Sequence, residues 1–275
     1  MGGLRATVGS VLVAAAYLFV ACAGDEPPAT TPATVEEFFA ALEQGIQQDG
    51  KVFHATVELR AVENGVDGLW ATTEGWVQGG AERARANWLR GPDNHNDIAK
   101  RTVRVYTPDG VYSTNPDGDD DPSFRLATEA ELCFADAPTP IVALVACGFL
   151  PFGGPDWELS VEESTFEGQA TVALVGTYPV SSPVGSEEFP AGGPTPHPVM
   201  TAATEGVYTL HLDAASLLPV ASVSWVDSDP DRKVFGSEAR FRTEFLDDSS
   251  LPKDWFEPGS LEVVARALRQ RKQGE

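Results

Sequence analysis

The side chains best suited to chemistry in this sequence are four histidines, and their spacing matches no familiar catalytic or metal site. They are His54, His95, His197 and His211. None has a neighbour at metal-ligand spacing, and HExxH, GxSxG, P-loop and GxGxxG motifs are absent from the sequence. The sequence therefore predicts a protein that is not an enzyme and that uses no metal or cofactor.

Carboxylates are numerous, but none is placed as a catalytic pair. The segment 115–121, with sequence NPDGDDD, offers oxygen atoms at alternate positions, as calcium loops do. Gly118 falls too early for an EF-hand, and no glutamate closes the loop, so we expect a solvated turn without an ion. The formal charge of −22 argues against nucleic acid and against broad contact with anionic lipid headgroups.

Two cysteines, Cys133 and Cys147, lie in the middle of the chain. In an oxidising compartment outside the cytoplasm, such an isolated pair favours a disulfide. Two buried free thiols are the alternative. Because no CxxC motif is present, the pair indicates neither a redox site nor a zinc knuckle.

The elements that must position these residues are mostly strands. Thr34 and Glu37 have capping-box spacing, which predicts a helix over 35–48. Period-two alternation and turn signals then predict strands at 53–61, 69–78, 83–90, 97–106 and 111–113, and later at 157–162, 169–178, 206–212, 219–226 and 239–246. A helical insertion separates the two groups, with helical segments at 129–132 and 141–145, and a last helix is predicted over 261–271.

Aromatic side chains fall on neighbouring predicted strands. Trp70, Trp76 and Trp88, with Tyr106 and Tyr112, would line one side of the sheet. Core packing is the favoured interpretation, and a contact surface for lipid or glycan is the alternative.

The amino terminus has the layout of a secretory signal, because Arg5 is followed by an apolar run to Ala21. The segment 18–24, with sequence LFVACAG, resembles the lipobox of bacterial lipoproteins, although Phe19 replaces the usual leucine. The resemblance implies cleavage ahead of Cys22 and lipidation of its sulfur. Two alternatives are release by ordinary signal peptidase at Gly24 and retention of the segment as an uncleaved anchor. The predicted organisation is a signal peptide at 1–21, a flexible Pro- and Thr-rich tether at 22–33, and one domain at 34–275.

Two segments, 104–112 (RVYTPDGVY) and 208–220 (YTLHLDAASLLPV), resemble the LolA-like lipoprotein carriers, to which LppX- and LprG-like lipoproteins and RseB-like regulators are related. The resemblance implies an α+β fold: a large curved antiparallel sheet, or half-barrel, with helices packed against its concave face. Insertions near 115–155 and 179–200 depart from that pattern. Between sheet and helices the family holds an apolar cavity, and a filled core is the alternative here. The residues that would line the cavity are Phe53, Val57, Leu59, Val103, Val105, Leu210, Phe241 and Phe245.

The function implied is that of a lipid-anchored protein on the extracytoplasmic face of the cell membrane. It would bind a lipid or other amphiphile in this cavity, as carrier or sensor, with apolar burial supplying the affinity. The alternative is an envelope scaffold, or an RseB-like regulatory protein, that binds a protein partner and holds no internal ligand.

Overall fold

The structure is a computed structural model that describes residues 31–63, 65–80, 82–90, 101–114, 123–125, 134, 137–149, 157–179 and 203–261. All of them belong to one compact unit, Thr31–Glu275. Within these residues the helices are α1 (Val35–Ile46) and α2 (Pro140–Ala146). The strands are β1 (Lys51–Glu63), β2 (Val66–Gln78), β3 (Ala84–Arg90), β4 (Arg101–Thr107), β5 (Gly110–Thr114), β6 (Ser123–Arg125), β7 (Glu158–Phe166), β8 (Gln169–Pro179), β9 (Glu205–Asp213), β10 (Pro219–Val226) and β11 (Phe235–Asp247).

The strands form one curved antiparallel sheet in the order β6-β5-β4-β3-β2-β1-β11-β10-β9-β8-β7. Each half is a meander, and the two meanders are joined because β1 pairs with β11 over the full length of both strands. The predicted α+β fold with a large curved sheet is confirmed. Residues 1–30, and with them Cys22 and most of the predicted tether, lie outside the described residues, as do the helical segment at 129–132 and nearly all of the predicted last helix.

The two faces of the sheet follow from the strand register. Phe53, Val77, Ala84 and Tyr106 lie opposite one another on β1 to β4, on the face that contacts α1 and α2, which we call the helix face. The residues one position away in each strand point to the opposite, outer face, since side chains alternate along a strand.

The helix α1 begins at the predicted capping box. Thr34 Oγ1 accepts the backbone N–H of Glu37 at 3.2 Å, and a Glu37 carboxylate oxygen accepts the backbone N–H of Thr34 at 3.1 Å. These bonds satisfy two of the donors that a helix start leaves free. The helix buries Phe38, Phe39, Leu42 and Ile46 in the large cluster on the helix face.

Three glycines of the sheet lie beneath aromatic rings on the helix face. A Cβ atom built on Gly75 would lie 2.3 Å from the ring of Phe149, which follows α2. Trp157 covers Gly176 and Tyr178 covers Gly206 in the same way. The sequence has glycine at these points because any side chain would displace a ring from the core.

A short carboxyl-terminal segment covers part of the outer face. Phe256 packs with Val52 and Trp76, and Leu261 packs with Val103 and Val105. The expectation that Val103 and Val105 share a cavity with Phe53 is therefore wrong. The sequence alternation shows only that the two valines share a face. Val105 pairs with Arg85, and Arg85 pairs with Trp76, so that face is the outer one.

The loop between β10 and β11 is organised by Asp229. Its carboxylate accepts the backbone N–H groups of Phe235, Val234 and Lys233 at 2.8, 2.6 and 3.1 Å. These hydrogen bonds lower the pKa of Asp229 below its ordinary value, and the bond from Phe235 has the largest effect.

Because the folded pKa is the lower one, the stabilisation by Asp229 is present above its unfolded pKa and is lost as the pH falls towards the folded value. We expect Asp229→Asn to lower the free energy of unfolding near about pH 7, and the difference from wild type to narrow below about pH 4. Urea denaturation at both pH values measures this, with Asp109→Asn in an exposed turn as control. A difference that does not change with pH would contradict the assignment.

Candidate functional site

The predicted cavity residues on the helix face are packed against one another. Phe53, Val57 and Leu210 are at most 1% exposed, whereas Leu59 and Phe241 keep 8% and 9% of their surface accessible. Phe245 is half-buried against the same cluster, with its ring 5.8 Å from that of Phe53. Of the predicted cavity residues on this face, Leu59, Phe241 and Phe245 therefore keep some accessible surface, and Phe53, Val57 and Leu210 keep almost none.

The aromatic residues predicted to share one side of the sheet are divided between both sides. Trp70, Trp88 and Tyr106 pack against the helix-face cluster, and the rings of Trp70 and Trp88 are 6.0 Å apart. Trp76 and Tyr112 lie on the outer face. The reason for the division within β2 is a bulge. Leu59 pairs with Ala71 and Arg60 with Leu69, so Trp70 is an extra residue that turns to the face opposite Trp76.

Arg104 is the functional candidate that the sequence did not single out. It lies on the helix face of β4, directly opposite Ala86 and Ser113, and it is half-buried. Its Nε atom is buried without a hydrogen-bond partner, and the guanidinium makes no hydrogen bond or ion pair with any residue that the structure describes. A guanidinium stays charged in proteins, and a buried donor without a partner is costly. An anionic ligand would supply the missing partner.

On the helix face, four of these residues follow a diagonal line across neighbouring strands, because Trp88 lies two residues and Arg104 four residues away from the row of Leu59. They are Leu59 on β1, Trp70 on β2, Trp88 on β3 and Arg104 on β4. With strands about 4.8 Å apart and a rise of about 3.3 Å per residue along each strand, the two ends of this line are roughly 20 Å apart. One end is apolar and adjoins the main cluster, and the other end carries a positive charge that has no partner among the described residues. We call this set the Leu59–Arg104 strip. Its apolar end and its charged end would match the acyl chain and the headgroup of an amphiphile.

A concavity of about 300 Å³ lies near the loop between β10 and β11. Its charged side chains are paired: Arg60 with Asp67 at 3.1 Å, Arg232 with Glu238 at 3.1 Å, and Arg240 with Glu238 at 2.8 Å. Because each guanidinium in this cleft already has a carboxylate partner, an anionic ligand would gain less from binding here than from binding to Arg104.

Each of the two described histidines has a partner at Nδ1, and His54 Nε2 is buried without a partner among the described residues. His54 Nδ1 is 2.8 Å from a carboxylate oxygen of Glu244, and its ring stacks on Trp76. His211 Nδ1 is 3.2 Å from Thr171 Oγ1, and burial lowers the pKa of His211. Within the described ranges, no three His, Cys, Asp or Glu side chains are grouped as metal ligands. His95, His197 and the acidic segment 115–121 are outside those ranges.

The structure describes one of the two cysteines in the middle of the chain. Cys147 is buried at the end of α2 and takes part in a disulfide. Cys133 lies outside the described residues, so the pairing of the two stays a prediction. None of the helices in the described ranges combines the length and the apolar character needed to cross a membrane.

Comparison with known proteins gives distant structural likenesses only. No family model and no curated protein matches the chain. A crystal structure of MucB in complex with MucA(peri) matches at a TM-score of 0.37 and 16% identity, over 80% of this chain and 58% of that one. A LolA superfamily protein, NE2245 from Nitrosomonas europaea, matches at 0.34 and 11%, over 82% and 100%. A putative outer membrane lipoprotein-sorting protein domain from Vibrio parahaemolyticus matches at 0.24 and 10%, over 82% and 97%. These neighbours belong to the LolA-like and RseB-related group that the sequence resemblance named.

Proposed function

We propose that this chain is a lipoprotein of the cell envelope, anchored through Cys22 on the extracytoplasmic face of the membrane, that binds an amphiphile without chemical conversion. The ligand lies along the Leu59–Arg104 strip, and the protein acts as carrier or sensor. The observation that carries the proposal is the guanidinium of Arg104, which has no partner among the described residues and lies at the end of this strip.

The apolar end supplies affinity. Trp70 and Trp88 are half-buried and in ring contact, so their accessible surface can pack against an acyl chain. Leu59 and Phe241 continue this surface towards the main cluster. Removing apolar area from water contributes about 25 cal/mol per Å², which favours a long hydrocarbon ligand over a small polar one.

The charged end supplies selectivity. The guanidinium fork matches the oxygen atoms of a phosphate or carboxylate headgroup. With a formal charge of −22, the protein repels anionic surfaces, so an unpaired arginine held inside the fold favours capture of single anionic molecules over adsorption to a membrane. The disulfide of Cys133 with Cys147 belongs to this proposal as a constraint on the segment before α2.

The test is photo-cross-linking of the full chain in phosphatidylcholine vesicles that contain a trace of photoreactive phosphatidylglycerol or photoreactive phosphatidylcholine. We expect phosphatidylglycerol to label the peptides that contain Trp70 and Trp88. Arg104→Gln should reduce this labelling about tenfold or more, since hydrogen bonds to charged groups contribute about 1.5–3 kcal/mol. Arg242→Gln is the matched control, because Arg242 is exposed and pairs with Glu58 on the outer face.

The stability of the Arg104→Gln protein separates binding from structure. A guanidinium with no partner does not stabilise the fold, so the free energy of unfolding should stay equal or rise. Equal labelling by the two lipids, or labelling that Arg104→Gln leaves unchanged, would refute the anionic amphiphile. A large loss of stability would assign Arg104 a structural role.

A further inference from the structure

Among the described strands, β7 forms one edge of the sheet, and β8 is the one strand that pairs with it. The hairpin that joins them has a two-residue turn, Glu167 and Gly168, with φ of 50° and 86°. Positive φ at both positions is typical of a type I′ turn, in which the flanking residues Phe166 and Gln169 form a hydrogen-bonded pair.

This register fixes which backbone groups of β7 face away from β8. Hydrogen-bonded pairs alternate along an antiparallel ladder, so Phe166 and every second residue before it bond to β8. The N–H and C=O groups of Leu159, Val161, Glu163 and Thr165 therefore point to the free edge. Among the described residues, none accepts from or donates to these groups.

The edge lacks several features that usually prevent strand addition, although it carries three glutamates. The pairing of β7 with β8 runs without a bulge over all nine residues, and the strand contains no proline and no lysine. The helix α1 and the core cover side chains of β7 on the helix face, where Leu159 and Val161 are half-buried. Hydrogen-bonding capacity thus remains along the edge itself.

Charge on β7 indicates what would bind there. Glu158 and Glu162 point to the outer face and Glu163 to the helix face, and all three are exposed. None forms an ion pair with a described residue. A second copy of this chain would place glutamates against glutamates, which disfavours edge-to-edge dimers. A strand with lysine or arginine at alternate positions would meet opposite charges instead.

We propose that the free edge of β7 binds an extended basic segment of another protein, which adds to the sheet as a twelfth strand. Main-chain hydrogen bonds to the four outward residues give affinity, and the glutamates select for positive charge. This site is separate from the Leu59–Arg104 strip and does not depend on it.

The test is residue-resolved hydrogen exchange on the full chain in non-ionic detergent, with a heptapeptide of alternating lysine and valine. In the free protein we expect fast exchange at the amides of Leu159, Val161, Glu163 and Thr165, and slow exchange at the residues between them. The lysine peptide should slow the four outward amides at least fivefold, and the same peptide with glutamate for lysine should not.

Variants at Thr165 isolate the backbone contribution. Thr165→Pro removes one outward N–H and leaves both the β8 ladder and the glutamates in place, whereas Thr165→Val keeps the N–H. We expect the proline variant to weaken peptide binding about fivefold and the valine variant to bind as wild type does.

Charge variants test the selection for a basic segment. Glu162→Lys should weaken binding, and Glu36→Lys on α1 should not. Outward amides that are already protected in the free monomer, a concentration-dependent dimer through β7, or equal effects of both peptides would overturn the proposal.

Discussion

Alanine in place of Phe149 is expected to lower the free energy of unfolding by about 3–5 kcal/mol, the range for truncating a fully buried phenylalanine. The ring is 1% exposed and lies directly on Gly75 of β2. The backbone N–H of Phe149 also donates to the Leu144 carbonyl at 2.8 Å, which ends α2. Removing the ring would open a cavity between α2 and the centre of the sheet. Denaturant unfolding measures the change.

The glycine beneath the ring provides a second, coupled test. Gly75→Ala should also destabilise, because its methyl group would overlap the Phe149 ring. Gly68→Ala is the matched control in the same strand, where an added Cβ meets nothing within 4 Å. In the double variant Phe149→Ala with Gly75→Ala, the overlap disappears, so the loss should be smaller than the sum of the single losses. Additive losses would show that the ring does not occupy the space above Gly75.

The second large effect is expected at Cys22. Cys22→Ser should abolish incorporation of alkynyl palmitate into the chain and cleavage ahead of residue 22, because the lipid of a lipobox protein is carried on the cysteine sulfur. Two acyl chains give stable membrane attachment, at about 0.8 kcal/mol for each buried methylene. Palmitate labelling with mass analysis of the mature amino terminus measures both changes. Phe19→Leu, which restores the usual lipobox residue, is the control and should label as wild type does.

The outcomes at Cys22 distinguish the three interpretations of the amino terminus. A labelled wild-type chain that begins at Cys22 supports the lipoprotein. An unlabelled chain that begins at Gly24 would indicate ordinary signal peptidase. An unlabelled chain that keeps its amino-terminal segment would indicate an uncleaved anchor. Membrane association alone does not separate these cases, since an uncleaved apolar segment also associates with membranes.

Strand positions and the first helix were predictable because their signals are local. The capping box at Thr34 and Glu37 fixes the start of α1, and the alternation at 53–61 fixes which residues of β1 are buried. The short strand β6 escaped prediction because three residues carry no measurable period. The pairing of β1 with β11, which joins the two meanders, connects residues nearly two hundred positions apart in the chain.

The candidate site was only half predictable. Leu59 and the tryptophans could be named as apolar contacts, but two predicted cavity residues, Val103 and Val105, lie on the outer face beneath Leu261. Trp70 lies on the helix face because of a bulge, and no residue type near it in the sequence indicates that bulge. Arg104 is one of 19 basic residues, and nothing in its neighbours along the chain marks it as unpaired.

The sequence by itself determined the strongly negative charge, which is a sum over residue types. It also determined the helix start and the alternation of most strands, since each depends on residues a few positions apart. The tertiary structure alone decided the face on which each apolar row lies, the half-buried position of Arg104 without a counter-charge among the described residues, and the edge position of β7 in the described sheet. These features arise from strand register and from contacts between distant segments. A one-residue change in register exchanges the two faces of a strand while leaving its sequence pattern the same.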